Sequence, residues 1–289
     1  MMKNVQPVTL DPGAHTKSAR RFLEFYNIKD RNAGSEILRE VLTAFSNLPY
    51  ENLSKIVKLE RDYSAPDRIR LPDEVMEDHA RHRLGGTCFS LTFFLQSILV
   101  SLGFTCYPVI AHMSRMRNSH CALIIVRGTE HWLADPGYLL NEPMRLDKDR
   151  SRIYRTPHTG VELRFSQDDE HYEIHTFNQN QLKFRYRFQN VPQSPEQFLD
   201  HWLGSFYWPG MRGMCLTRVN ADGMVYVHND YVQVQNLKGK RKGHVTDIYK
   251  LVNENFHISP EWVERAREAI PRIIRLGQQH GYYSDTGRE

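Results

Sequence analysis

An α+β fold is what this sequence predicts, on three observations. Apolar residues at helical spacing occupy roughly the first hundred positions, short β-branched and aromatic runs take over after Thr105, and the two patterns mix beyond Pro195. These changes divide the chain at 1–104, 105–205 and 206–289. With 289 residues, one large domain or two to three small packed ones are expected.

Residues 1–15 read as a loose start. Phe22, Leu23, Phe25 and Tyr26 within 19–26, and Ile37, Leu38, Val41, Leu42 and Phe45 within 35–48, follow the helical period. Pro49 ends the second helix. Residues 60–72 are charged and Pro-bearing and read as a loop, and 73–82 reads as a third helix with Asp73 as its N-cap. After the Gly85-Gly86 turn, 88–102 is apolar on most faces and stops at Gly103. A surface helix would show a polar face, so this one is expected to be buried.

Strands follow at 105–111, 121–126 and 132–134, the last two flanking a hairpin loop at 127–130. Further strands fill 161–189, including 172–177. The stretch 182–188 alternates strictly, which assigns Phe184, Tyr186 and Phe188 to a buried face and Lys183, Arg185 and Arg187 to the opposite one. Residues 224–227 and 231–234 read as a hairpin around His228-Asn-Asp230, and Ser259-Pro260-Glu261 as a capped helix start.

The composition excludes several function classes. No apolar run reaches the ~18 residues of a membrane span. The start has no apolar h-region, so no secretory leader is expected. Four cysteines, Cys88, Cys106, Cys121 and Cys215, show neither paired nor zinc-like spacing, so a reducing, cytoplasmic setting without a metal is expected. The net charge of +4 fits either an ordinary basic protein or attraction to an anionic ligand such as a phosphorylated cofactor. No basic block with interleaved aromatics marks a nucleic-acid surface, and 238–243 reads as a solvated loop.

Cys88 is the sharpest chemical feature. It follows two glycines and opens a helix, whose unpaired N–H groups and dipole stabilise a thiolate and a developing oxyanion. Read locally, it is also a plausible small buried apolar side chain. A nucleophilic thiol needs a base, and the base an orienting group. His120 opens one strand and Asp135, before Pro136-Gly137, ends the next; in an antiparallel hairpin those ends adjoin. Taken singly, His120 reads as a surface or capping residue and Asp135 as a turn residue before Pro-Gly; the hairpin link is what makes the pair credible.

Several segments resemble one family. Arg83-Leu-Gly-Gly-Thr-Cys-Phe-Ser-Leu-Thr92 resembles the R-G-G-x-C-x-E-x-N signature of the arylamine N-acetyltransferases, and Pro49-Tyr-Glu-Asn-Leu53 is similar to their P-F-E-N-L element. Ser119-His120 with the following strand looks like their catalytic-His strand, and Asp135-Pro-Gly-Tyr138 like the D-x-G-F element. The likeness runs in order from about residue 20 to 260, with further echoes at Cys215 to Gly223 and at 255–258.

The resemblance implies an N-terminal helical bundle, a central antiparallel β-barrel and a C-terminal α/β lid around a cysteine-proteinase-like triad of Cys88, His120 and Asp135. It implies ping-pong transfer from acetyl-CoA, through acetylated Cys88, to a small aromatic amine or hydrazine. It also implies contact with CoA from the segment before His120, at Arg115, Arg117, Asn118 and Ser119. The chain departs from the pattern at Leu84, Ser90 and Thr92, where the family has Arg, Glu and Asn. The same triad also serves amide synthases and thiol hydrolases, and a catalytically weak relative is the remaining alternative.

Overall fold

The computed structural model describes residues 8–29, 33–61, 68–114, 116–178 and 181–279. The N-terminal third carries helices α1 (Thr16–Phe25), α2 (Ser35–Phe45), α3 (Leu53–Arg61), α4 (Pro72–His82) and α5 (Cys88–Ser101), with the short strand β1 (Tyr50–Glu51) between α2 and α3. From Cys88 through Leu99 every residue of α5 is buried, as an all-round apolar sequence requires. The helix is wrapped by Phe22, Phe45 and other apolar side chains of α1 and α2 on one side and by strands on the other.

Two expectations change here. The helix α4 begins at Pro72 with Leu71 as its cap, because proline's fixed φ suits a first helical position. Asp73 therefore does not cap; its carboxylate accepts from the Ser18 hydroxyl and bonds His15 Nδ1. The stretch 60–72 is not wholly loop either. The helix α3 runs through Arg61, its apolar Leu53, Ile56, Val57 and Leu59 buried, and Arg68 and Arg70 are buried too. Residues 62–67 of that expected loop lie outside the described residues.

The middle of the chain forms strands β2 (Thr105–Met113), β3 (Met116–Arg127), β4 (Glu130–Ala134), β5 (Met144–Arg145), β6 (Arg152–Arg155), β7 (Gly160–Ser166), β8 (His171–Phe177) and β9 (Leu182–Phe188). They make one antiparallel sheet in the order β5-β4-β3-β2-β9-β8-β7-β6. Its outer strands approach each other, with the Arg145 N–H donating to the Tyr154 hydroxyl at 2.9 Å, so the sheet is a nearly closed barrel. Val109, Ala122, Ile124, Ile174, Tyr186 and Phe188 fill it.

The strict alternation expected of β9 fails at one place. Ile174 pairs with Tyr186 but His175 pairs with Phe184, so Arg185 is an extra residue in a β-bulge. Below the bulge the faces swap. Phe184 stacks edge-on against His175 on the outer face, and Lys183 now stands opposite Thr176.

The remainder comprises α6 (Pro195–Gly204), β10 (Cys215–Asn220), β11 (Gly223–His228), β12 (Tyr231–Asn236), β13 (Gly239–His244), α7 (Ile248–Phe256) and α8 (Pro260–Gln279). The helix α6 starts with a full capping box at Ser194 and Gln197. A second antiparallel sheet runs β1-β10-β11-β12-β13, so a strand from the N-terminal third closes a sheet built late in the chain. The expected loop at 238–243 is instead mostly the exposed edge strand β13. Lysines on a free edge keep it from pairing with another chain. One apolar cluster unites Leu53, Ile56 and Phe89 with Phe198, Trp202, Val263 and Ile273.

Candidate active site

Cys88 is the first residue of α5, after Thr87, whose extended backbone caps the helix. The turn before it is fixed by close approach. A Cβ on Gly85 would lie 1.9 Å from the Pro49 carbonyl oxygen, and the Gly86 N–H donates to that same oxygen at 3.3 Å. Glycine is needed there for space, since its φ is not in the left-handed region.

Leu84, where the family has arginine, is fully buried in the core. Arg83 takes the left-handed C-cap of α4 with its guanidinium over the Phe25 ring. The brace comes from Arg70, which no sequence motif flagged. It donates to the Gly85 carbonyl at 2.8 Å, the Ser54 hydroxyl at 2.6 Å and the Asp78 carboxylate at 2.6 Å. It also lies 3.6 Å from buried Glu51.

His120 and Asp135 meet as the hairpin geometry required. Leu123 pairs with Ala134 across β3 and β4, which leaves the next position along β4 on the His120 face. His120 Nε2 bonds Asp135 Oδ2 at 2.8 Å, both side chains buried. The carboxylate also accepts the Tyr138 N–H at 3.1 Å and the Tyr186 hydroxyl. Tyr186 was legible only as a buried side chain; a buried phenol needs a polar partner, which is the signal that could have found it. Gly137 holds the parts together, since a Cβ there would fall 2.8 Å from His120 Cε1 and 3.0 Å from Cys88 Cβ.

The electrostatics separate the groups. Contact with the Cys121 thiol does most to hold Cys88 well below the usual thiol range; burial opposes this, and His120 and Lys55 add to it. Burial pushes the Cys121 thiol up, so it stays protonated and donates; Thr92 Oγ1 is 3.5 Å from its sulfur. Burial disfavours charge on His120, but the Asp135 carboxylate, its hydrogen bond and Cys88 raise the imidazole to about 10. Both shifts favour a thiolate beside an imidazolium over the neutral pair.

Lys55 was also missed. It is buried, donates to the Ser205 hydroxyl at 2.6 Å and carbonyl at 3.0 Å, and burial lowers it to about 7. Ser90 and Thr92 are buried and brace locally, Ser90 by donating to the Thr87 carbonyl at 3.1 Å.

Cys88 and His120 line a cavity of about 570 Å³ between the barrel and the late sheet, with Tyr50, Tyr138, Tyr226 and Cys215 among its walls. Of the four residues expected near CoA, Ser119 lines it. Arg117 is exposed and off the lining. The Asn118 N–H donates to His112 Nδ1 at 3.1 Å, and Arg115 lies outside the described residues. Residues 116–119 are the start of β3, next to a bulge in β2. Among the described residues no cluster of His, Cys, Asp or Glu could hold a metal ion, and no helix is long and apolar enough to cross a membrane.

The fold is similar to solved arylamine N-acetyltransferases. The Mycobacterium abscessus structure aligns with a TM-score of 0.75 at 18% identity, covering 91% of this chain and 98% of that one. The Nocardia farcinica structure gives 0.73 at 18% identity, covering 91% and 99%. The Salmonella typhimurium structure gives 0.70 at 18% identity, covering 87% and 98%. No curated protein matches the sequence. The profile of the N-acetyltransferase family matches residues 36–263, well over half of the chain. With that match and the shared fold, this chain belongs to the arylamine N-acetyltransferase family and is an acyltransferase enzyme.

Proposed function

We propose that the protein transfers an acetyl group from acetyl-CoA to an arylamine or arylhydrazine through acetylated Cys88. The observation that carries this reading is the buried His120–Asp135 bond beside a thiol held below its usual range, on the wall of a cavity large enough for a small aromatic acceptor.

In the first half-reaction the Cys88 thiolate attacks the thioester carbonyl carbon. The first-turn N–H groups of α5 favour the negative charge that gathers on the carbonyl oxygen. As the C–S bond to CoA breaks, the His120 imidazolium gives its proton to the departing thiolate, and Cys88 carries the acetyl group. In the second half the amine nitrogen attacks that acetyl carbon, His120 takes a proton from nitrogen, and the C–S bond to Cys88 breaks. The N-acetyl product leaves and the thiolate–imidazolium pair is restored. Asp135 holds the ring with Nε2 toward itself throughout, leaving Nδ1 for these transfers.

The cavity suits both reactants: Lys183 and Lys240, exposed at its mouth, fit the phosphates of CoA, and its tyrosines fit an aromatic ring. Initial rates of CoA release with acetyl-CoA and 4-methoxyaniline varied together should give parallel double-reciprocal lines. Lines converging to the left of the ordinate would contradict a covalent intermediate on the turnover path.

A further inference from the structure

Two thiols meet at the catalytic centre, and acyl transfer uses only one of them. All four cysteines are free, and Cys121 directly follows His120 on β3. Neighbouring residues of a strand point to opposite faces. Ala122 and Ile124, on the face of His120, fill the barrel. Leu123 and Ile125, on the face of Cys121, pack instead with Leu91 and Leu95 of α5. Cys88 stands at the first turn of α5, so His120 reaches it from one side and the Cys121 thiol from the other. Thr92, one turn along α5 and standing where the family has Asn, braces Cys121, its Oγ1 3.5 Å from the sulfur.

The two thiols differ in charge and in what can reach them. Cys88 lines the cavity, so a small solute there meets its sulfur. Cys121 is fully buried behind it and off the lining, so it reacts only with what Cys88 has first become. Cys88 is held toward the thiolate, the form that oxidants attack, whereas Cys121 is held protonated. Burial is the main reason for the latter, and the hydrogen bond and charge of Cys88 add to it. That charge disappears when Cys88 becomes a neutral sulfenic acid, which makes Cys121 easier to deprotonate. The other thiols lack such a pairing. Burial pushes Cys106 up to about 12, and Cys215, hydrogen-bonded with Tyr226, up to about 11.

From this arrangement we propose that Cys121 is a resolving thiol: hydrogen peroxide entering the cavity oxidises Cys88, and Cys121 captures it as a disulfide that switches the enzyme off reversibly. The proposal rests on the reading of Cys88 as the acetyl-carrying nucleophile. In the first step the Cys88 thiolate attacks a peroxide oxygen and the O–O bond breaks. Sulfur is oxidised to the sulfenic acid, the peroxide is reduced, and the departing hydroxide takes the His120 proton and leaves as water. In the second step the Cys121 sulfur attacks the Cys88 sulfur, the S–S bond forms and the S–O bond breaks. The sulfenic oxygen leaves with the Cys121 proton as a second water. A dithiol reverses the bond by exchange at the Cys88 sulfur, which faces the cavity. Without Cys121 the sulfenic acid meets further peroxide and passes to sulfinic acid, which thiols do not reduce.

The test treats the wild type with excess hydrogen peroxide, blocks the remaining thiols with iodoacetamide under denaturing conditions, and maps peptides with and without dithiothreitol. The expected result is a peptide joining Cys88 to Cys121, lighter by two hydrogens than its parts, with Cys106 and Cys215 still alkylated and Cys88 recovered by dithiothreitol. In Cys121→Ser the cross-link should be lost and Cys88 should accumulate as sulfinic acid. Cys215→Ser should form the cross-link as the wild type does. A wild-type Cys88 that passes straight to sulfinic acid, joins Cys215 or a second chain, or stays reduced under peroxide overturns the proposal. So does a folded Cys121→Ser protein whose Cys88 dithiothreitol restores as fully as in the wild type. The wild-type map decides by itself if that variant does not fold.

Loading from acetyl-CoA separates this proposal from its parent. The reduced protein should gain one acetyl group, and the cross-linked form none until dithiothreitol is added. If the reduced protein never gains it, the acetyltransferase reading falls, while the peptide map still decides whether Cys121 resolves Cys88. If the reduced and cross-linked forms load alike, the disulfide is no switch and the proposal falls.

Discussion

Asp135 receives three donors, from His120, Tyr186 and the Tyr138 backbone, and their loss has different consequences. Asp135→Asn puts an amide where the imidazole needs an acceptor of fixed tautomer, so acetyl-enzyme formation should fall on the order of 10⁴-fold with the fold retained. Tyr186→Phe leaves the carboxylate and its bond to His120, so the rate should fall far less. Stability should drop by about 1.5–3 kcal/mol, the worth of a hydrogen bond to a charged group. Circular dichroism beside single-turnover mass spectrometry separates the two; equal rates for both variants would remove Asp135 from its assigned role. The pH dependence follows from the thiolate–imidazolium pair. A depressed thiol stays ionised until pH falls through its lowered value, so Cys88 alkylation should stay nearly constant between pH 6 and 8, where a free thiol of pKa ~8.5 loses about tenfold per unit. The raised imidazole has the opposite sign: its stabilising charge is complete below ~6.5 and lost as pH rises through about 10. Stopped-flow alkylation across pH checks this, and a Cys88 profile with the midpoint of a free thiol would contradict it. The helix start at Cys88 and the contact of His120 with Asp135 were legible in the sequence, because a helix start and a hairpin are local patterns. Tyr186, Cys121 and Lys55 were not, because their roles depend on which distant groups they touch.

At the scale of elements, the turn before α5 depends on a residue outside its motif. Arg70 ties the Gly85 carbonyl to Ser54, Asp78 and Glu51. Burial raises the Glu51 carboxyl despite that neighbour. Arg70→Met should cost about 3–5 kcal/mol, because it strands a buried acid and two acceptors. It should also slow Cys88 alkylation by loosening the helix start. Urea unfolding with m-values measures the first and mapped alkylation the second; a stability change under 1 kcal/mol would show that Arg70 is not the brace. The signature drew attention to 83–92, where Leu84 stands in place of the family's Arg, and the sequence read 60–72 as loop because charge and proline mask a buried ion network. The bulge at Arg185 was likewise invisible. A strict apolar–charged alternation fixes a face only while the ladder keeps register, and one extra residue reverses it.

Across the whole molecule, the site is assembled from every part of the chain. The Cys88 thiol comes from the helices, His120 and Asp135 from the barrel, and the roof of the cavity from the late sheet, which β1 joins by pairing with β10. The α+β class was legible, since hydrophobic periodicity changes along the chain from helical spacing to strand alternation. The sharing of one apolar core between α3, α5 and α6 to α8 was not, because contacts between residues 53–93 and 198–273 leave no periodic trace. That joint assembly is what places Cys88 and His120 at one cavity wall, with Asp135 buried behind His120, so the account stands on what the thiol does there. The most direct measurement is the intact mass of the protein after acetyl-CoA is added without acceptor, followed by peptide mapping and then by addition of an arylamine. The account predicts one acetyl group on Cys88, discharged when the amine arrives. No acetyl gain on a Cys88 that iodoacetamide still labels readily would contradict it.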